Sequence, residues 1–171
     1  EHNQRVIMIG EPEPEAASYI HWVADEKQLL KALVVWLNQE NPDVIIGWNV
    51  VNFDFSLLSK RFELHRIPFS IGRDGTQPSW RTNKNQIEQN FITIAGRVVL
   101  DGIDLMKTAT YNFASFSLDS VAHEILGKGK KVDSVDNRVD EIIYNFHHNK
   151  QALAEYNLMD CQLVLEIFEK T

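Results

Sequence analysis

The sequence predicts an α/β domain with a mixed sheet flanked by helices, and three observations carry that prediction. Short apolar stretches at Arg5–Ile9 and Ser18–Val23 have strand length. Val44-Ile45-Ile46-Gly47 is a continuous apolar run, the pattern of a strand buried on both faces. Between and after them lie segments with helical periodicity, the longest at Lys150–Lys170. Strands interleaved with helices define the α/β class. At 171 residues and 44% hydrophobic, the chain can bury one core.

The first strand ends at Gly10, and Pro12 and Pro14 fix the following segment as a loop. Asp25 and Gln28 have capping-box spacing for a helix running to about Gln39, with Leu29, Leu30, Leu33, Trp36 and Leu37 on its apolar face. Asn41-Pro42 ends it. After the Val44–Gly47 strand, a helix is expected from near Phe53 to about His65, stopped by Pro68. Residues 70 to 89 read as polar and irregular. A hairpin is expected next, Phe91–Ile94 against Arg97–Leu100, with Ala95-Gly96 in the turn. Helices dominate from Ile103 onward. Ser117 is placed as an N-cap, Gly127 as a C-terminal stop, and Val139–His147 as a further helix.

The formal charge of −7 comes from 24 acidic and 17 basic side chains, which argues against nucleic-acid binding by a basic face. It leaves open a nuclease whose bound divalent cations meet the phosphate. No apolar run approaches the roughly 18 residues of a membrane span, and none reads as a signal peptide. The single cysteine, Cys161, excludes an internal disulfide and suits a cytoplasmic protein; it is expected to serve packing. The chain opens without methionine and ends directly after a patterned helix, so it is expected to be a fragment of something longer.

Two carboxylates fall where carboxylates are unusual. Leu153, Tyr156, Leu163, Val164 and Ile167 form the apolar stripe of the last helix, and Asp160 falls within it, four residues after Tyr156. Four residues are about 40° apart around a helix, so Tyr156 and Asp160 project to nearly the same spot. A carboxylate there needs a partner, a proton or a metal; an arginine or a backbone donor would serve equally. The second feature is Gly47-Trp48-Asn49-Val50-Val51-Asn52-Phe53-Asp54, which leaves the C-terminal end of the apolar strand, where α/β proteins gather ligands. The ordinary alternative is that Asn52 or Asp54 caps the next helix.

Read together, these segments resemble the exonuclease motifs of family B DNA polymerases. Ile45-Ile46-Gly47-Trp48-Asn49 to Phe53-Asp54 is similar to the second motif, and Tyr156-Asn157-Leu158-Met159-Asp160 to the third, Tyr-x-x-x-Asp. Phe116 to Ala122, with Leu126-Gly127, resembles the segment between them, and the wording around Asp43–Asp54 and Gly96–Lys107 is nearest the bacterial members. The resemblance runs from about Arg5 to Thr171. It implies an RNase H-like fold and a 3′→5′ proofreading exonuclease acting on the 3′ end of single-stranded DNA, in the bacterial cytoplasm. It also implies two Mg²⁺ or Mn²⁺ ions about 4 Å apart. On the same basis Asp54 helps hold one ion through water, Asp160 ligates the other, and Tyr156 orients the attacking water. Asn49 shapes the single-strand pocket, and Phe53 packs near a base.

The chain departs from the family at the first motif, Asp-x-Glu, which is absent. Glu11, Glu13 and Glu15 have its spacing, but Pro12 and Pro14 interrupt any strand there. The fold is therefore expected to lack its first strand. The missing pair is expected upstream of Glu1, and the whole of 1–171 is read as one truncated exonuclease domain of a polymerase. Two consequences are expected: weak activity of the chain alone, and self-association through open sheet edges. A stand-alone exonuclease of the same fold and a non-catalytic single-strand-binding module are the alternatives. Lesser features read as structural: the Gly127–Lys131 turn, the His147-His148 pair, and Trp22, Trp36, Trp48 and Trp80 as anchors; Asp101 and Asp104 follow a strand end and read as helix caps, with support of the site from behind as the alternative.

Overall fold

The computed structural model describes residues 3–83, 89–128 and 135–171, in two compact units, Glu1–Asp25 with Tyr111–Thr171, and Glu26–Thr110. The Gly127–Lys131 turn lies outside the described residues from Gly129 on, as does the segment at 84–88.

In the first unit, β1 (Val6–Ile9) pairs in parallel with β2 (Ile20–Val23), Val6 opposite Ile20 and Ile9 opposite Val23. The proline loop of Glu11 to Glu15 is exposed between them, with no strand structure. Alternation turns Val6 and Met8 inward, where they meet Ile20 and Ala154, with Tyr19, Trp22, Leu153 and Leu158 around them. Ala154 belongs to α6 (Lys150–Lys170), which starts where Asn149 accepts a hydrogen bond from Ala152 N–H at 3.0 Å. Two helices pack against α6: α4 (Leu118–Leu126) and α5 (Val135–His148). Ser117 caps α4, accepting from Ser120 N–H, and Gly127 ends it in the left-handed region at φ 65°. Both assignments match the sequence expectation.

In the second unit, α1 (Glu26–Glu40) leads to β3 (Val44–Gly47), then through a wide π-helical turn (Val50–Asp54) into α2 (Phe55–Leu64). β4 (Ser79–Asn83), β5 (Gln89–Thr93), β6 (Val98–Asp101) and α3 (Gly102–Thr108) follow. Leu30, Val50, Val51, Phe55, Phe62, Phe69, Ile71 and Ile94 form the core, with the Phe62 and Phe69 rings stacked at 4.2 Å. Burying side chains of this size contributes about 1.5–3 kcal/mol each.

Several sequence expectations are corrected. The described strands form three two-stranded sheets, β1–β2, β3–β6 and β4–β5, rather than one mixed sheet. Residues 79–83, read as irregular, form β4, antiparallel to β5. β6 does not form a hairpin with β5. Only an Ile94–Arg97 bridge spans the Ala95-Gly96 turn, and β6 pairs in parallel with β3. Arg97 accounts for the change. It is buried, and its guanidinium donates to Ile71 O at 2.9 Å, Pro42 O at 2.6 Å and Asn41 Oδ1 at 3.1 Å. Those bonds tie the start of β6 to the entry of β3. The β3 strand is not buried on both faces either: Val44 is 48% exposed, and Ile45 to Gly47 are only partly buried. Cys161 is exposed rather than part of the core.

Candidate functional site

Gly47 and Asp101 are partners at the C-terminal end of the β3–β6 pair. Beyond Gly47 the chain cannot stay extended. A methyl at Gly47 would lie 2.5 Å from Val50 Cβ, so the turn folds back over a residue without a side chain. Asn49 takes a left-handed conformation, φ 58° and ψ 26°. Asparagine tolerates that region better than most residues, though it still costs up to about 1 kcal/mol. The wide turn follows, closed by Phe53 N–H to Asn49 O at 2.9 Å and by the Phe55 N–H to Val50 O. Wide turns of this kind concentrate at functional sites.

The first amides of such a turn have no partner within it. Here a distant residue supplies one. Asp101 Oδ1 accepts from Asn49 N–H at 3.1 Å and from Ile103 N–H at 3.0 Å, while Oδ2 accepts from Val51 N–H at 3.1 Å. Asp101 is 6% exposed, so its charge is held by these amides rather than by water. Hydrogen bonds to a charged group contribute about 1.5–3 kcal/mol each, more than the strain at Asn49. The sequence reading gave Asp101 a capping role at α3, which the Ile103 bond bears out. It missed the grip on Asn49 and Val51, because the parallel register that brings residue 101 beside residue 47 was hidden under the expected hairpin.

The turn sets out the predicted residues differently. Phe53 is 61% exposed, as a ring available to a ligand must be. Asn52 accepts from Asn90 Nδ2 at 2.9 Å, so its side chain reaches to β5 instead of capping. Asp54 stands at the N-terminus of α2 with helical backbone angles and makes no side-chain capping bond. The capping alternative fails for both. The surrounding protein disfavours charge on Asp54 and raises its pKa above the ordinary carboxylate range. Its own backbone amide opposes that shift, and the nearby Asp101 charge adds to it. A cation would reverse the balance.

Tyr156 and Asp160 lie on α6, four residues apart and both half-buried, on the flank of a stripe made by Ala154, Leu163, Val164 and Ile167. Asp160 is therefore less deeply buried than its place in the pattern implied. Asn49, Phe53 and Asp54 share one turn of the Glu26–Thr110 unit, whereas Tyr156 and Asp160 share one helix of the other. Among the described residues no group of three or more His, Cys, Asp or Glu side chains could hold a metal ion. Asp101 already gives three of its carboxylate's acceptor sites to backbone amides. Asp54, which caps nothing, fits as a single oxygen ligand.

Residues 2–121 match the profile of the family described as DNA polymerase family B, exonuclease domain. The chain belongs to that family. It is 45% identical over 172 residues to DNA polymerase II of Escherichia coli, covering 98% of this chain and 22% of that protein. It is 29% identical to DNA polymerase 1 of Pyrococcus abyssi, over 95% of this chain and 22% of that protein. It is 28% identical to the DNA polymerase of Desulfurococcus sp. strain Tok, over 74% and 17%. The chain thus spans between about a tenth and about a fifth of the length of the curated relatives it matches. Within the family B exonuclease profile fall β3, the wide turn and Asp101, so the grip on the turn lies inside the matched region. No helix among the described residues is long and apolar enough to cross a membrane.

Proposed function

We propose that this chain, as one domain over 1–171, is the 3′→5′ editing exonuclease part of a family B DNA polymerase, with an RNase H-like fold. Its substrate is the 3′ end of single-stranded DNA. One observation carries the reading: the second-motif carboxylate, Asp54, emerges from a tightly held turn and is not used as a helix cap. The turn runs into α2 without a break, Phe55 N–H bonding Val50 O, so the Asp54 carboxylate is not needed there as a cap. Membership of the exonuclease family and the polymerase names of the relatives support the same assignment.

In this reading Asp54 and Asp160 hold Mg²⁺ or Mn²⁺, whose charge offsets that on the phosphodiester oxygens. Tyr156 hydrogen-bonds and orients the attacking water, since phenols are poor bases at neutral pH. The exposed Phe53 ring stacks on a terminal base, a contact worth about 1–3 kcal/mol in single-strand binders, and Asn49 borders the strand. Remaining polymerase domains in the longer protein are the partners. With two motif carboxylates in place of four, the isolated chain binds Mg²⁺ weakly and degrades DNA slowly. Its β3 edge, paired among the described residues with β6 alone, favours self-association at high concentration.

The test uses the full-length protein encoded by the gene. Asp54→Ala and Asp160→Ala each reduce Mg²⁺-dependent release of nucleotides from a single-stranded oligonucleotide by about a hundredfold or more. Wild-type rates in both variants overturn the assignment.

A further inference from the structure

We infer that Asp101 is a positioning residue for the nuclease turn, joining the exit of β3 to the start of α3 so that Asp54 leaves the turn in one fixed direction. The inference rests on the exonuclease reading above. Three features converge on it. The carboxylate divides its oxygens between two segments: Oδ2 serves only Val51 N–H, and Oδ1 serves both Asn49 and Ile103. The parallel register places residue 101 opposite Gly47, so no other position of β6 offers a side chain at the strand exit. Gly102 completes the floor of the turn: a methyl there would lie 2.5 Å from the Trp48 ring, so Trp48 rests directly on the backbone of residue 102.

Capping a seven-residue helix needs only Ile103. The bonds to Asn49 and Val51 do nothing for α3. They hold the left-handed residue and the first turn of the segment that ends at Asp54. Losing them lets the turn unwind by fractions of an ångström, and misplacement of about 1 Å costs on the order of a hundredfold in rate.

Substitutions can separate the two tasks. Asp101→Asn keeps one oxygen for Ile103 and Asn49 but turns an amide nitrogen, a donor, toward Val51 N–H. Asp101→Ser keeps a good helix cap on a side chain too short to serve Val51. Ser117→Ala removes a comparable cap from α4 and serves as the control for a merely structural loss. In the full-length protein, both Asp101 variants should lower kcat for single-stranded DNA by about tenfold to a hundredfold with KM within about twofold. Hydrogen exchange read by mass spectrometry should accelerate in the peptide spanning 48–54 while 103–108 stays protected.

Ser117→Ala should leave kcat unchanged. A kcat loss in the Asp101 variants no larger than in Ser117→Ala, or faster exchange spread evenly over 26–110, overturns the inference. The exchange pattern decides the grip whether or not the protein degrades DNA, and wild-type activity in Asp54→Ala counts against the exonuclease reading alone.

Discussion

Asn49 to Asp54 and Tyr156 to Asp160 each present a carboxylate, yet the first segment is held by a residue 52 positions further along the chain and the second by its own helix. On α6 every backbone amide past the first turn is satisfied within the helix, and the interval of four residues alone puts Tyr156 above Asp160. On the turn nothing is repetitive. Asn49 is left-handed, the wide loop after it leaves amides unpaired, and a buried carboxylate from another strand supplies what the local sequence does not. A site residue on a helix inherits its direction from the fold. One on a turn needs a dedicated holder.

That contrast predicts where each region breaks. The largest effect belongs to α6, whose direction depends on its packing. Ile167 is fully buried on its inner face. Ile167→Ala should lower stability by about 2–5 kcal/mol, read as a shift in urea midpoint at constant slope. Ile167→Val should cost about 0.5–1.5 kcal/mol. An alanine variant as stable as its parent would show that α6 is held by something other than its apolar stripe.

The same contrast explains what the sequence could reveal. α6 was legible from Lys150 to Lys170 because its period is local, and the caps of α4 are single residues with known preferences. β4 was not legible, since Ser79-Trp80-Arg81-Thr82-Asn83 is strand by virtue of pairing with β5 and not by its own apolar content. The partner of β6 was read wrongly because a glycine turn between two apolar runs is the usual hairpin signal, and the pull of buried Arg97 toward Asn41 and Pro42 acts across more than 50 residues. For the site, Asp54 and Asp160 could be picked out by motif, whereas the grip of Asp101 on the turn could be found only by knowing that residue 101 faces residue 47.

A smaller effect sharpens the comparison at Asn49. Its backbone needs the left-handed region, which glycine enters without strain and alanine enters at a cost of about 1 kcal/mol. Asn49→Gly should therefore keep stability within a few tenths of a kcal/mol, and Asn49→Ala should lose about 1 kcal/mol. Activity then divides the roles. If Asn49 only shapes the backbone, the glycine variant stays near wild type. If its amide borders the DNA strand, as proposed, both variants raise KM for single-stranded DNA by a similar factor.

The smallest effect concerns how α1 and α2 are fastened, on which the turn between them depends. Glu26 at the start of α1 receives hydrogen bonds from the Arg61 guanidinium, and His65 Nε2 lies 2.9 Å from its Oε2. The Arg61 bond first and the His65 bond second lower the Glu26 pKa to about 2. A carboxylate whose folded pKa lies below its unfolded value of 4.5 contributes stability that is complete above that value. The contribution is lost as pH falls from about 4.5 toward about 2, where the folded group takes up its proton. The pair is partly open to solvent, so its contribution is modest. Urea midpoints measured from pH 6 to pH 3 should fall less steeply in Glu26→Gln than in the parent, with a constant gap between the two curves above pH 4.5 that narrows below it. Parallel curves over the whole range would mean that Glu26 fastens nothing, and that α2 is aligned by Phe55 and Phe62 in the core alone.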